Sequence, residues 1–194
     1  MLAVTAQPRR PGQAGVTLAE TAIVLAIVSI LAVASLPSVV DRWQRETVIL
    51  LAEQFASSVS VARATAQYRH VQAHLQPLDP SGDWAKGWQL TTSHPANTPD
   101  ITATPGPGQE SLIVATVLPP AVPTVRIRFR IPGNTLSYAP VGYSRNSNGG
   151  ALHGTLTISS GRHVRQVRIN SVGRARVCDP ATDLHTCAAT GDDP

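Results

Sequence analysis

Nine arginines lie between Glu110 and Asp179, and no Asp or Glu interrupts them. A guanidinium stays charged at any physiological pH and offers a planar fork of donors to a phosphate or carboxylate. Several such groups together displace counterions from a polyanion, which makes a salt-sensitive binding surface. The spacing places some of them together. Arg174 and Arg176 are two apart, so in a strand they share one face while Ala175 and Val177 take the other. Arg165 and Arg168 precede them by a few residues. Farther upstream, Val125–Ile131 (VRIRFRI) sends Arg126, Arg128 and Arg130 outward and Val125, Ile127, Phe129 and Ile131 inward. The stretch 41–110 has five basic and seven acidic residues, so positive charge is gathered in the C-terminal half. A merely solvated basic surface has the same composition and stands as the alternative.

Other chemistry is sparse. Of the six His, only His70 and His74 have helical i, i+4 spacing, and neither a carboxylate between them nor a third ligand completes a zinc hydrolase site. The sequence lacks a G-x-S-x-G elbow, a phosphate-binding P-loop and a G-x-G-x-x-G turn. Cys178, His185 and Cys187 lack a good fourth metal ligand. The reading is therefore not an enzyme, with no catalytic residue, no metal and no cofactor. One carboxylate stands out. Glu20 sits at the mouth of the uncharged run Thr21–Val40, TAIVLAIVSILAVASLPSVV, where a lone acid is costly and calls for a partner.

The elements that position these groups follow from periodicity. The chain has 194 residues, 42% hydrophobic and only 14% charged, with a net charge of +4. Twenty uncharged residues in a helix span about 30 Å, the thickness of a bilayer's hydrocarbon core. Beyond them Leu51, Phe55, Val59, Ala62 and Ala66 form one helical stripe, which predicts a helix from Thr17 to about His70, stopped by Pro77 and Pro80. Residues 77–110 are turn-rich, with Gly87–Leu90 the best strand. After them the period changes to two: a mostly buried strand at Ser111–Leu118, then Val125–Ile131, Thr155–Ser159, Val164–Asn170 and Arg174–Cys178, with a turn at Pro132-Gly133-Asn134. The fold class is α+β, a long N-terminal α-helix followed by an antiparallel β-sheet domain. Trp43 reads as an interfacial anchor, and Trp84 and Trp88 as packing residues.

The polar leader stops before the apolar run, at Gly15-Val16-Thr17-Leu18-Ala19-Glu20, whereas a secretory signal would be cut after it. This arrangement resembles the class III signal of type IV pilins and pseudopilins. The resemblance narrows to the GspH/FimT group through Leu51, Phe55, Ala62-Arg63 and Ala66, Gly87-Trp88, Ile127-x-Phe129 with Gly133, and the closing stretch Arg168–Cys178. It implies cleavage by a prepilin peptidase between Gly15 and Val16, methylation of Val16, and assembly through Glu20 pairing with a neighbouring subunit's terminal amine. Val16 stands where the family usually has Phe. Pro37 falls where pilin helices commonly carry a kinking proline.

The resemblance also implies a division into a leader (1–15), a membrane and filament-core helix (16–40), an amphipathic helix (41–76), a β-rich head (77–178) and a tail (179–194). The mature head would lie on the periplasmic side of the inner membrane, where Cys178 and Cys187 would form a disulfide. Its loop-closure entropy is worth about 2–3 kcal/mol. Gly173, Arg174 and Arg176 match the G-R-x-R motif of FimT-like minor pilins that bind DNA in natural transformation, with Arg165 and Arg168 as added contacts. The implied partners are other pilin or pseudopilin subunits, the peptidase, the inner membrane and double-stranded DNA. Two readings remain beside the type IV minor pilin: a type II secretion pseudopilin, and a single-pass envelope protein in which Glu20 is incidental.

Overall fold

The computed structural model describes residues 15–93, 111–119, 122–146, 149–183, 185 and 187. The chain divides into two compact units, Met1–Val40 and Asp41–Pro194.

The helix α1 runs Leu18–Arg69. Thr17 starts it: the Thr17 carbonyl accepts from the Thr21 N–H at 3.2 Å, and Thr17 Oγ1 accepts from the Glu20 N–H at 3.3 Å. A threonine cap followed three residues later by Glu is a helix-start signature. In the first unit the described apolar side chains are exposed; Leu18 is 86% exposed and Ile30 is 70% exposed. This helix is long and apolar enough to cross a membrane.

In the second unit one stripe of α1 becomes the core. Val48, Leu51, Phe55, Val59, Ala62 and Ala66 are buried against both sheets' inner residues. Phe55 sits among Trp84, Trp88 and Phe129, with ring centroids 5.7, 5.4 and 5.4 Å away and the rings edge to face. The indole N–H groups do not go unpaired: Trp84 Nε1 donates to Asn134 Oδ1 at 2.6 Å and Trp88 Nε1 to Ser58 Oγ at 3.0 Å.

The helix ends at Arg69, beside the predicted His70, but no proline ends it. His70 takes a positive φ of 54°, and the Val71 N–H reaches back to the Ala66 carbonyl at 3.3 Å. That six-residue closure is a Schellman stop. The chain then enters β1 (Gln72–Pro77), which lies inside a five-stranded antiparallel sheet with β2 (Trp88–Ser93), β3 (Ser111–Val117), β5 (Leu136–Tyr138) and β6 (Ser144–Arg145) in the order β3-β2-β1-β5-β6. The second sheet is also antiparallel, in the order β4 (Val125–Arg130), β7 (Gly154–Ser160), β8 (His163–Ile169), β9 (Ala175–Cys178). A second correction concerns β3. It is an edge strand, and Leu112 and Ile113 are exposed rather than buried, because only β2 flanks it.

The five-stranded sheet holds a buried histidine. His74 Nδ1 lies 2.8 Å from Ser137 Oγ and Nε2 lies 3.1 Å from Ser93 Oγ. Burial pushes this imidazole below its ordinary 6.5. As pH falls below 6.5 the unfolded chain binds the proton first, so stability is full above that value and declines below it until the folded imidazole also titrates. His74→Gln is therefore expected to give a shallower loss of thermal stability on acidification below about pH 6.5. Parallel melting curves for parent and variant across that range would contradict this.

Candidate functional site

The C-terminal hairpin is built around Gly173. Its φ is +81°, and its N–H donates to the Asn170 carbonyl at 2.9 Å. Asn170 also caps the other side of the turn: its Oδ1 accepts from the Arg174 N–H at 2.8 Å. Tyr138 Oη donates to the Gly173 carbonyl at 2.9 Å, and burial pushes that phenol upward, so it stays a protonated donor. A Cβ on Gly173 would stand 2.5 Å from Tyr138 Cε1. The glycine is thus demanded by backbone conformation and by the close approach of a buried ring.

From this turn Arg174 and Arg176 emerge exposed, while Ala175 and Val177 are half-buried, packed against the core. Among the described residues neither arginine side chain has a hydrogen-bond or ion-pair partner. Arg165 and Arg168 are placed differently. Arg165 shares its strand face with the buried Val167 and Ile169, and it pairs with Asp179. The Asp179 carboxyl is held below the ordinary carboxylate range by the Ala181 N–H and then by the Arg165 guanidinium. Arg168 donates to the Cys187 carbonyl. Both side chains therefore hold the segment that follows β9. Arg165 is withdrawn from the set of free cations, and Arg168 is half-buried.

Cys178 and Cys187 form a disulfide with Cα atoms 5.7 Å apart. Both sulfurs are committed to each other, so they are not thiolate ligands. Among the described residues no group of three His, Cys, Asp or Glu is arranged to hold a metal ion.

A second cluster ties the β7–β8 hairpin to α1. Asp41 accepts from Arg162 at 2.7 Å and from His163 Nε2 at 2.9 Å, and these two hydrogen bonds hold its carboxyl low. Asp41 and Asp179 both pair across more than ten residues of sequence, and no local spacing signals such pairs. Thr17 is a cap that the sequence reading missed, although its T-x-x-E spacing carries that signal.

At the other end, Gly15 is exposed, and a Cβ there would meet nothing within 4 Å. Packing within the chain gives no reason for a glycine at that position. Glu20 is also exposed, at the third helical residue, where a carboxylate complements the positive end of the helix dipole.

A long N-terminal apolar helix, whose second half packs on antiparallel sheets, together with an acid at its start, defines a pilin-type subunit. The family model described as type II transport protein GspH matches residues 51–173, and the prokaryotic N-terminal methylation motif matches residues 10–36. The chain belongs to the GspH family, and with it come assembly with other pilin-type subunits and processing by a prepilin peptidase. Two crystal structures of the type IV minor pilin FimU from Pseudomonas aeruginosa are similar at 17% identity. One covers 71% of this chain and 92% of that one with a TM-score of 0.48, the other 68% and 92% with 0.43. No curated protein matches the chain. The GspH match ends at Gly173, so Arg174 and Arg176 lie beyond it.

Proposed function

We propose that the protein is a minor type IV pilin whose head presents Arg174 and Arg176 to the phosphates of double-stranded DNA. In this reading cleavage falls between Gly15 and Val16, Val16 becomes the methylated terminus, and Glu20 sets the subunit's register in the filament. The head stands on the periplasmic side of the inner membrane and is carried outward on assembly. The protein has no catalytic role. The observation that carries the DNA reading is the pair of exposed guanidinium groups, without a partner among the described residues, at a hairpin whose glycine is fixed by Tyr138. Phosphate contacts of this kind position a duplex without reading its sequence.

The test uses the full chain in detergent with duplex DNA over a range of salt concentrations. Each phosphate contact contributes about −0.9 to the slope of log affinity against log salt. Arg174→Ala/Arg176→Ala is expected to flatten that slope by about 1.8 and to weaken all sequences alike. Arg174→Lys/Arg176→Lys is expected to restore only part of the affinity, because ammonium groups lack the fork. A double alanine variant that binds as the parent does would sink the reading. The second reading, a pseudopilin of type II secretion, is favoured by the description of the matched family. It would then take precedence, with other pseudopilins and secreted proteins as partners.

A further inference from the structure

We propose that the DNA-binding surface is the whole outer face of the four-stranded sheet, with the β4 arginines contributing more contacts than the tail pair. This rests on the DNA reading above and specifies where the duplex lies. The strand register carries it. Arg130 stands opposite Thr155, Thr155 opposite Arg168, and Arg168 opposite Arg176, so one line across all four strands holds three arginines and a threonine. The next line on the same face runs Arg128, Thr157, Gln166, Cys178, and a third runs Arg126, Ser159, Val164. Strand periodicity puts these residues on one side and Ile127, Leu156, Ile158 and Val167, all buried, on the other.

The face is uniformly positive or neutral. It carries Arg126, Arg128, Arg130, Arg168 and Arg176, interleaved with hydroxyl and amide side chains that donate to phosphate, and no acid. The acid nearest in sequence, Asp179, is engaged by Arg165. Arg126, Arg128 and Arg130 are exposed, and among the described residues they have no ion-pair partner. Three strand spacings make the sheet about 14 Å wide, and alternate residues along β4 are roughly 7 Å apart. A duplex carries a charge about every 1.7 Å of its axis, so a face of this size meets several phosphates at once.

The register also contains a local conflict. Arg168 and Arg176 are directly opposed on the same face, and like charges so placed destabilise a sheet. Arg168 turns to the Cys187 carbonyl, but Arg176 is left exposed and has no partner among the described residues. Local rules are broken in this way chiefly where a site requires it. The disulfide loop, anchored through Cys178 on this face, borders the patch at the β9 edge.

The experiment uses the full chain in detergent, with a 25-base-pair duplex as probe and salt titration as readout. Arg126→Ala/Arg128→Ala/Arg130→Ala is expected to flatten the salt slope by about 2.7, against about 1.8 for the tail pair. Arg126→Gln/Arg128→Gln/Arg130→Gln, which keeps the strand polar, is expected to give the same slope with an unchanged melting temperature, separating lost contact from lost fold. A parent that shows no salt-dependent binding removes the DNA reading itself. A parent that binds, with triple variants of equal slope, overturns this inference alone. Triple variants that bind normally but self-associate would assign the row to protection of the β4 edge, and would also overturn it. Tighter binding of the parent to phosphatidylglycerol vesicles than to duplex, at equal phosphate, would overturn it in favour of a lipid surface.

Discussion

Glu20→Ala is expected to insert in the membrane and be cleaved like the parent, yet to be absent from filaments. Glu20 is the only acid in the first forty residues, and the twenty residues that follow it carry no charge. Buried among apolar helices of neighbouring subunits, a carboxylate without a cationic partner would be strongly unfavourable. Under the proposed function a neighbour's amine satisfies it, which would fix one axial register. The structure adds a competing role, because Glu20 also stands where a carboxylate steadies the helix start above the Thr17 cap. Glu20→Gln keeps the side chain's length and removes the charge, while the backbone bond to Thr17 Oγ1 is untouched in either variant, and a circular dichroism spectrum like the parent's shows that the helix start survives. Loss of incorporation in both variants, read by immunoblot of sheared filaments, is the expected outcome. Normal incorporation of Glu20→Gln would contradict a charge-pairing role for Glu20 in assembly.

Gly173→Ala is expected to cost about 2–4 kcal/mol of stability, from the left-handed backbone and from forcing Tyr138 aside. The contact at issue is 2.5 Å to a ring that is 1% exposed, so the ring has nowhere to go. The melting temperature of the full chain should fall by roughly 5–15 °C. In contrast, Arg174→Ala and Arg176→Ala at exposed positions should leave it within a degree or two. The three residues of the motif are therefore expected to differ: the glycine shapes the hairpin, and under the proposed function the arginines contact the phosphates. Lost DNA binding in Gly173→Ala with a lowered melting temperature would report on the fold alone. An unchanged melting temperature would contradict the role given to Tyr138.

Much of this architecture was legible because it rests on periodicity. Leu51, Phe55, Val59, Ala62 and Ala66 recur at helical spacing and are all buried, and VRIRFRI alternates as the structure has it. What escaped was decided by tertiary context. The segment Gln72–Pro77 continues the i, i+4 spacing of Ala66, His70 and His74, so nothing local marks it as the strand that follows the helix. The run Ser111–Val117 is apolar enough to read as buried, yet its place at a sheet edge depends on strand order, which the sequence does not encode locally. The arginines near the tail show the same limit. Their charge was plain, but only the pairing of Arg165 with Asp179, and of Arg168 with the Cys187 carbonyl, separates anchoring cations from free ones. The Gly15 position is the opposite case. Nothing in the fold requires a glycine there, so its meaning comes from the leader pattern and from the methylation motif that spans residues 10–36.

Whether the chain is a processed filament subunit is decided by one measurement. Coexpressed with a prepilin peptidase and analysed by intact mass, the protein should lose the fifteen residues Met1–Gly15 and begin at Val16, plus the mass of one methyl group where methylation follows. Gly15→Glu should leave the chain at full length, since that position is open in the fold and the substitution disturbs recognition alone. An unshortened parent in the presence of active peptidase, with Met1 still at its terminus, would contradict the account.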